Sequence, residues 1–147
     1  RRASELPFIK DIFQIGLRGV GSGREEEMNA ALQYCANLIS AYEVHDIGIE
    51  SILQRVPSGG RFYITVDADG MDPTVMPAVN APTPGGLTWL QIREFIHGIV
   101  NKGRVLGIDL VEISPQFEKG NITFIHAERL LCNFIGATVR ADYFEDK

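Results

Sequence analysis

The sequence contains no hydrophobic run of the length that crosses a bilayer, about 20 apolar residues, so we expect no transmembrane helix and no membrane partner. It also contains little cysteine. Cys35 and Cys132 are its only two, which is too few for the disulfide framework of a small secreted protein. Because sparse cysteine suits a reducing compartment, we expect a cytoplasmic location.

Positive charge is also scarce. The 14 Lys and Arg residues are outnumbered by 19 Asp and Glu, giving a net charge of −5. Nucleic-acid phosphates require a basic surface, so we expect no nucleic-acid partner. Acidic side chains that converge in a cleft would instead attract a cationic ligand. The length of 147 residues suits one domain over residues 1–147, without linkers or internal repeats.

Several catalytic patterns are missing as well. The sequence has no Gly-x-Ser-x-Gly elbow, and none of His45, His97 and His126 forms a His-Glu-x-x-His pattern or a His/Cys pair with metal-ligand spacing. The glycine-rich residues 19–23 lie between a predicted strand and a predicted helix, as a dinucleotide-binding turn does. Arg24 occupies the position of the third glycine of that motif, so an ordinary strand–helix turn is the favoured interpretation.

Apolar runs and helix-capping signals alternate along the chain. They predict strands at 12–18, 38–42, 61–66 and 105–111, and helices at 22–37, 49–55, 88–102 and 122–139. The pairs Ser22/Glu25 and Thr88/Gln91 have the spacing of a capping box. Such alternation favours an α/β fold with a parallel sheet and helices on both faces. Functional sites in these folds lie at the carboxyl ends of the strands.

The segment 67–73, Asp-Ala-Asp-Gly-Met-Asp-Pro, follows the clearest predicted strand. Carboxylates this close repel one another unless a cation or an arginine lies nearby. Asp67 and Asp69, two residues apart on extended backbone, point the same way and could chelate one hard divalent cation. An EF-hand calcium loop is excluded, because Asp72 stands where that loop needs glycine and Ala78 where it needs glutamate. An acidic surface turn remains the alternative.

A second acidic pair, Asp109 and Glu112, lies at the end of the strand predicted at 105–111. If this strand neighbours the strand before Asp67, the pair reaches the same edge of the sheet. The residues alone leave another interpretation open, in which Asp109 accepts hydrogen bonds from loop amides and Glu112 faces solvent.

These segments together resemble the ureohydrolase family, which comprises arginases, agmatinases, guanidinobutyrases and formimidoylglutamases. Residues 66–73 and 77–87 are similar to a signature of that family, residues 107–115 to its next segment, and residues 14–19 to an earlier strand and loop. The form Leu-Val-Glu-Ile-Ser-Pro at 110–115 resembles agmatinase-like members more than true arginases. The resemblance implies a three-layer α-β-α fold with a parallel sheet, as in arginases and deacetylases.

The resemblance also implies a function. It implies two manganese ions at the carboxyl edge of the sheet, with Asp67 as a bridging ligand and Asp69 as a ligand to one ion. Glu112 would receive the guanidinium of a small cationic substrate, Asp72 would be structural, and no residue of this chain is implied as a catalytic acid or base. The implied reaction is hydrolysis of an agmatine-like guanidino compound to urea and an amine, by a hydroxide that bridges the ions. Complete members are expected to be homo-oligomers, trimers or hexamers, and formimidoylglutamase-like hydrolysis on the same fold is the alternative.

Two further family motifs, Gly-Gly-Asp-His and Asp-x-His-x-Asp, supply the other metal ligands and do not occur in this sequence. The opening residues Arg1-Arg2-Ala3 resemble those that follow the second of these motifs. We therefore expect the chain to be the C-terminal portion of a ureohydrolase domain. Because manganese needs several nitrogen and oxygen ligands, we expect little or no activity from this polypeptide alone. An inactive fragment or assembly subunit is thus the second alternative.

Overall fold

The computed structural model describes residues 2–19 and 23–144, over which strands and helices alternate as the sequence predicts. In chain order the elements are β1 (Phe13–Leu17), α1 (Glu25–Gln33), β2 (Asn37–Ser40), α2 (Ala41–Arg55), β3 (Arg61–Asp67), α3 (Trp89–Lys102), β4 (Arg104–Val111) and α4 (Ile122–Arg140). Short 3₁₀ turns lie at Arg2–Glu5, Ala68–Gly70 and Pro115–Phe117. None of the helices in these ranges combines the length and the apolar character that crossing a membrane requires.

The strands pair in parallel, as expected. β1 pairs with β2 and β3 with β4, and within the described ranges these are two separate two-stranded sheets. Gly16, with a φ of 93°, lies where the β1–β2 register shifts. A Cβ at this position would lie 3.2 Å from the Leu87 side chain. Glycine is therefore favoured here for two reasons. It adopts the left-handed backbone without strain, and it leaves room for the segment that follows β3.

One face of β3 is buried and the other is exposed. Ile64 and Val66 point into the core, whereas Tyr63 and Thr65 lie on the opposite face, where Tyr63 is 64% exposed. A strand inside a fully covered parallel sheet would be buried on both faces. Among the residues that the structure describes, nothing covers the second face of β3.

Capping residues set the starts of α2 and α3. The Thr88 hydroxyl accepts from the Gln91 N–H at 3.3 Å, and the Gln91 side chain accepts from the Thr88 N–H at 2.9 Å, which confirms the predicted capping box. The Ser40 hydroxyl likewise accepts from the Glu43 N–H at 3.1 Å. Because Ser40 caps α2, the strand predicted at 38–42 ends earlier and the helix begins at residue 41. The helix predicted at 49–55 is the second half of α2, after a break at Gly48.

The first helix is shorter than the predicted 22–37. Its expected cap, Ser22, lies outside the described residues, and α1 stops before Cys35, which has a φ of 61°. The next residues pair with the start of β1, since the Asn37 N–H donates to the Ile12 carbonyl at 2.8 Å. This strand pairing overrides the helical pattern at the end of the predicted helix.

The core lies where α3 packs against α2, α4 and β4. Its most deeply buried large apolar side chains are Ile39, Val44, Ile52, Met76, Ile96 and Leu130. Met76 belongs to the long segment between β3 and α3, so this irregular segment is part of the core and not a surface loop.

The start of α4 is held by a side chain that precedes it. The residue before the helix, Asn121, has a φ of 59° and its side chain makes no capping bond. Instead, the Glu118 carboxylate accepts from the N–H groups of Lys119, Gly120 and Thr123 at 2.9–3.0 Å. The bond from the Gly120 N–H, followed by one from the Thr123 side chain, lowers the pKa of Glu118 to about 2.

The low pKa of Glu118 makes stability depend on pH. A depressed carboxyl pKa stabilises the fold above the unfolded value of 4.5, and this contribution is lost as the pH falls towards the folded value. Glu118→Gln should therefore lower the free energy of unfolding at pH 7, and its difference from wild type should shrink below about pH 4.5. Urea unfolding followed by circular dichroism at pH 7 and pH 3 measures both, with Glu128→Gln on the exposed side of α4 as the control. A difference that is the same at both pH values would contradict this assignment.

Candidate active site

Asp67 and Asp69 lie in one turn at the carboxyl end of β3. Asp67 is the last residue of the strand and caps the 3₁₀ turn Ala68–Gly70, because its Oδ1 accepts from the Asp69 N–H at 2.8 Å. The Asp69 Oδ1 in turn accepts from the Ala81 N–H at 3.4 Å. The two aspartates that the sequence predicts as metal ligands thus lie in one turn, although a 3₁₀ turn replaces the extended backbone on which that prediction relied.

The surroundings of Asp67 change its ionisation. Partial burial raises the pKa of Asp67, and the negative charge of Asp69 raises it further. The Asp69 N–H and the Arg18 guanidinium oppose this rise, since both favour the ionised form. A nearby cation would favour the charged form of Asp67 in the same way.

Arg18, which sequence reasoning did not identify as a site residue, lies behind this turn. Its guanidinium donates to the carbonyls of Asp69 and Met71 at 2.8 and 3.0 Å, and to that of Gly70 at 3.3 Å. The same group donates to the Thr83 carbonyl at 2.6 Å. The position of Arg18 in the sequence could have identified it. An arginine directly after an apolar strand lies at the carboxyl edge of a parallel sheet, where functional sites occur.

The segment between β3 and α3 is fixed by side chains from distant elements. The Thr123 hydroxyl accepts from the Ala78 N–H at 3.0 Å, and the His126 Nδ1–H donates to the Val75 carbonyl at 2.6 Å. The Ala78 carbonyl accepts from the Ser114 N–H at 2.8 Å. The end of β4 and the first turns of α4 therefore hold the middle of this segment.

A second histidine holds the end of the same segment. His45 Nε2 donates to the Gly86 carbonyl at 3.1 Å, and its Nδ1 lies 3.2 Å from the Gln91 amide nitrogen. His45 and His126 therefore both contact the backbone of this segment.

Asp72 has the structural role expected of it. Its Oδ1 accepts from the hydroxyl and the N–H of Thr74 at 2.6 and 3.0 Å, and its Oδ2 accepts from the Gly85 N–H at 2.9 Å. These bonds, led by that from the Thr74 hydroxyl, lower the pKa of Asp72. The carboxylate is thus occupied in closing the turn.

The acids of β4 occupy two different environments. Asp67 pairs in register with Val111, so Glu112, one residue further on, lies at the same sheet edge as Asp67 and is exposed. Asp109 lies further back and accepts from the Tyr63 hydroxyl at 3.0 Å. The alternative in which Asp109 accepts from loop amides is therefore wrong: its side chain lies on the strand face, beside Tyr63. Its Oδ1 is buried without a partner in the described part of the chain.

The donor set suits a hard divalent cation but is incomplete. Asp67 and Asp69 offer carboxylate oxygens, which such cations prefer. Within residues 2–19 and 23–144, no three His, Cys, Asp or Glu side chains are grouped so that they could hold a metal ion. The two aspartates therefore fit a metal site as contributors to a larger ligand set.

Comparison with known families decides the classification. A model of the arginase family matches residues 1–136. The chain belongs to the arginase family. The resemblance found in the sequence is thereby confirmed.

Arginase-family relatives agree in sequence and in fold. The chain is 32% identical over 107 residues to an N(1)-aminopropylagmatine ureohydrolase of Thermus thermophilus, covering 71% of this chain and 35% of the relative. It is 33% identical over 149 residues to a guanidinobutyrase of Pseudomonas aeruginosa, covering 95% of this chain and 46% of the relative. The solved agmatine ureohydrolase of Thermoplasma volcanium superposes with a TM-score of 0.75 at 34% identity, over 90% of this chain and 43% of that one.

The structural likeness confirms the α/β fold class that the resemblance implied. The chain spans only about a third to a half of the length of these arginase-family relatives, 35%, 46% and 43%. The activity of a complete family member is therefore only proposed for this chain.

The hydrogen bond between the Thr123 hydroxyl and the Ala78 N–H should contribute to the free energy of unfolding. Thr123→Val keeps the shape of this fully buried side chain but leaves the Ala78 N–H without an acceptor, which costs about 1–3 kcal/mol. Thr138→Val is the matched control, because that hydroxyl donates to the Ile135 carbonyl of its own helix. Urea unfolding should show the larger loss for Thr123→Val, and equal losses would contradict this role.

Proposed function

We propose that the protein hydrolyses an agmatine-like guanidino compound to urea and an amine, in a reaction that depends on manganese. The observation that carries this proposal is the placement of Asp67 and Asp69 in one turn at the carboxyl end of β3, with Glu112 at the end of the neighbouring strand. Relatives named for ureohydrolase, agmatinase and guanidinobutyrase activity support it.

In this proposal each acidic residue has a defined task. Asp67 and Asp69 hold part of the manganese site, and bound divalent cations supply water with a pKa near neutrality. The exposed Glu112 carboxylate accepts the planar N–H groups of the guanidinium, a geometry that favours paired hydrogen bonds. In this proposal the guanidinium carbon lies near the aspartates, because Glu112 and Asp67 are at the same edge of the sheet. Hydrolysis adds water to that carbon, breaks one C–N bond, and the departing nitrogen takes up a proton.

The incomplete ligand set limits what residues 1–147 can do alone. Two carboxylates do not satisfy the several nitrogen and oxygen ligands that manganese prefers, so the other ligands come from outside the described residues in this proposal. The same observation favours a second candidate, an inactive fragment or assembly subunit. We propose a homo-oligomer, trimer or hexamer, for the complete protein.

Substitution of the aspartates tests the metal assignment. In the complete protein, Asp67→Asn or Asp69→Asn should lower kcat/KM for urea release by about a hundredfold or more, because metal catalysis contributes several kcal/mol. Asp46→Asn, an exposed aspartate of α2, is the control for the loss of one negative charge. Urea is measured with manganese added and after chelation. Unchanged turnover in both site variants would exclude the proposal.

A substrate panel tests the reaction class and the role of Glu112. Agmatine should yield urea faster than arginine or guanidinobutyrate, and formimidoylglutamate should yield no formamide. Glu112→Gln should raise KM by about tenfold with a smaller effect on kcat, because it weakens a charge-assisted bond to the substrate. Formamide release would favour the formimidoylglutamase alternative. No product from any substrate, with manganese present, would favour the inactive subunit.

A further inference from the structure

The Arg18 guanidinium donates hydrogen bonds to backbone carbonyls from three parts of the chain. Arg18 follows β1 and donates to the Gly16 carbonyl beside it, to three consecutive carbonyls at residues 69–71, and to Thr83. The distances lie between 2.6 and 3.4 Å. A side chain of the β1–β2 sheet thus binds the turn that ends the first strand of the other sheet.

The convergence of these carbonyls favours a side chain that carries several N–H donors, although the Gly70 carbonyl also accepts from the Leu87 N–H at 3.0 Å. Successive carbonyls that point to one place cannot be satisfied by each other, and a buried carbonyl without a donor costs free energy. Arginine offers five N–H groups in a planar fork, whereas lysine offers three on one nitrogen atom. Arginine is therefore suited to bridging carbonyls on separate segments.

The turn that Arg18 holds carries both candidate metal ligands. The Asp69 carbonyl accepts from Arg18 at 2.8 Å, while the Asp69 N–H donates to the Asp67 carboxylate at 2.8 Å. Arg18 therefore fixes the peptide groups on the inner side of the turn, and the side chains of Asp67 and Asp69 project from the same short piece of backbone. A change in this piece would alter the relative placement of the two carboxylates.

We propose that Arg18 is a positioning residue, which holds the turn Ala68–Gly70 so that the Asp67 and Asp69 carboxylates can act on one cation. The binding of a cation in this proposal rests on the proposed function. The restraint of the turn by Arg18 does not, because its hydrogen bonds form without any metal. Arg18 itself binds neither cation nor substrate in this role.

The first experiment measures the turn without metal. In the 147-residue chain, amide hydrogen exchange at Asp69 reports its bond to the Asp67 carboxylate. Arg18→Met should speed this exchange by about tenfold or more, since hydrogen bonds to charged groups contribute more than those between neutral groups. Arg18→Lys should lie between Arg18→Met and wild type. Amides inside α4 should exchange at unchanged rates. Arg55→Met, which removes an arginine that pairs with Glu43 on α2, is the charge-matched control.

The second experiment adds manganese to the complete protein, because Asp67 and Asp69 are only part of the proposed ligand set. In wild type, Mn²⁺ should broaden the amide NMR signals of residues 67–70, and Arg18→Lys should need about tenfold more Mn²⁺ for the same broadening. If wild type shows no broadening but Asp69 exchange still responds to Arg18, the positioning role stands and the metal function fails.

Two outcomes would overturn the positioning role. One is Asp69 exchange that does not change in either Arg18 variant. The other is exchange at Asp69 and inside α4 that accelerates equally in Arg18→Lys, which would show a general loss of stability. Arg18→Lys keeps the positive charge and some of the bonds, so it remains informative if Arg18→Met does not fold.

Discussion

Converging carbonyls are the constraint around which the candidate site is organised. Those of residues 69–71 point towards one place, and a guanidinium from the other sheet lies there. Because the acceptors and the donor belong to different parts of the chain, the same bonds shape the turn and tie the β1–β2 sheet to it. The close approach of the Leu87 side chain to Gly16, which leaves little room for a Cβ there, adds to this connection.

The long segment between β3 and α3 follows from the same principle. Loops of this length usually run over the surface, because buried backbone needs partners. Here Thr123, His126 and Ser114 supply those partners for Val75 and Ala78. The segment can then bury Met76 completely. An irregular backbone becomes part of the core because its polar groups are satisfied by α4 and the end of β4.

The candidate metal site has few ligands, and the sheet face beside it is exposed. No three His, Cys, Asp or Glu side chains of the described residues are grouped so that they could hold a metal ion. On the adjacent β3–β4 face Tyr63 is exposed, and Asp109 Oδ1 has no partner among the same residues. The first turns of α4 also expose apolar side chains such as Ile125. Parallel sheets are normally covered on both faces. Relatives of the arginase family are more than twice as long as this chain, which covers 35–46% of them.

Local signals allowed much of the fold to be predicted. Thr88 with Gln91 marks the start of α3, the β-branched run before Asp67 marks β3, and the Asp-x-Asp segment marks the site. Where prediction failed, longer-range contacts had prevailed: Asn37 joins a strand because it pairs with Ile12. For Asp109 the sequence left two interpretations open, and neither included its observed partner, Tyr63, which lies on the neighbouring strand.

The sequence by itself determined the alternating elements, the acidic segment and the family, because those features act within a few neighbouring residues. Only the tertiary structure decided how the site is held. Arg18 and Thr83 are 65 residues apart, Thr123 and Ala78 are 45 apart, and His126 and Val75 are 51 apart. No local pattern specifies such pairs, since each bond forms only after the packing of helices and strands has brought its two groups together.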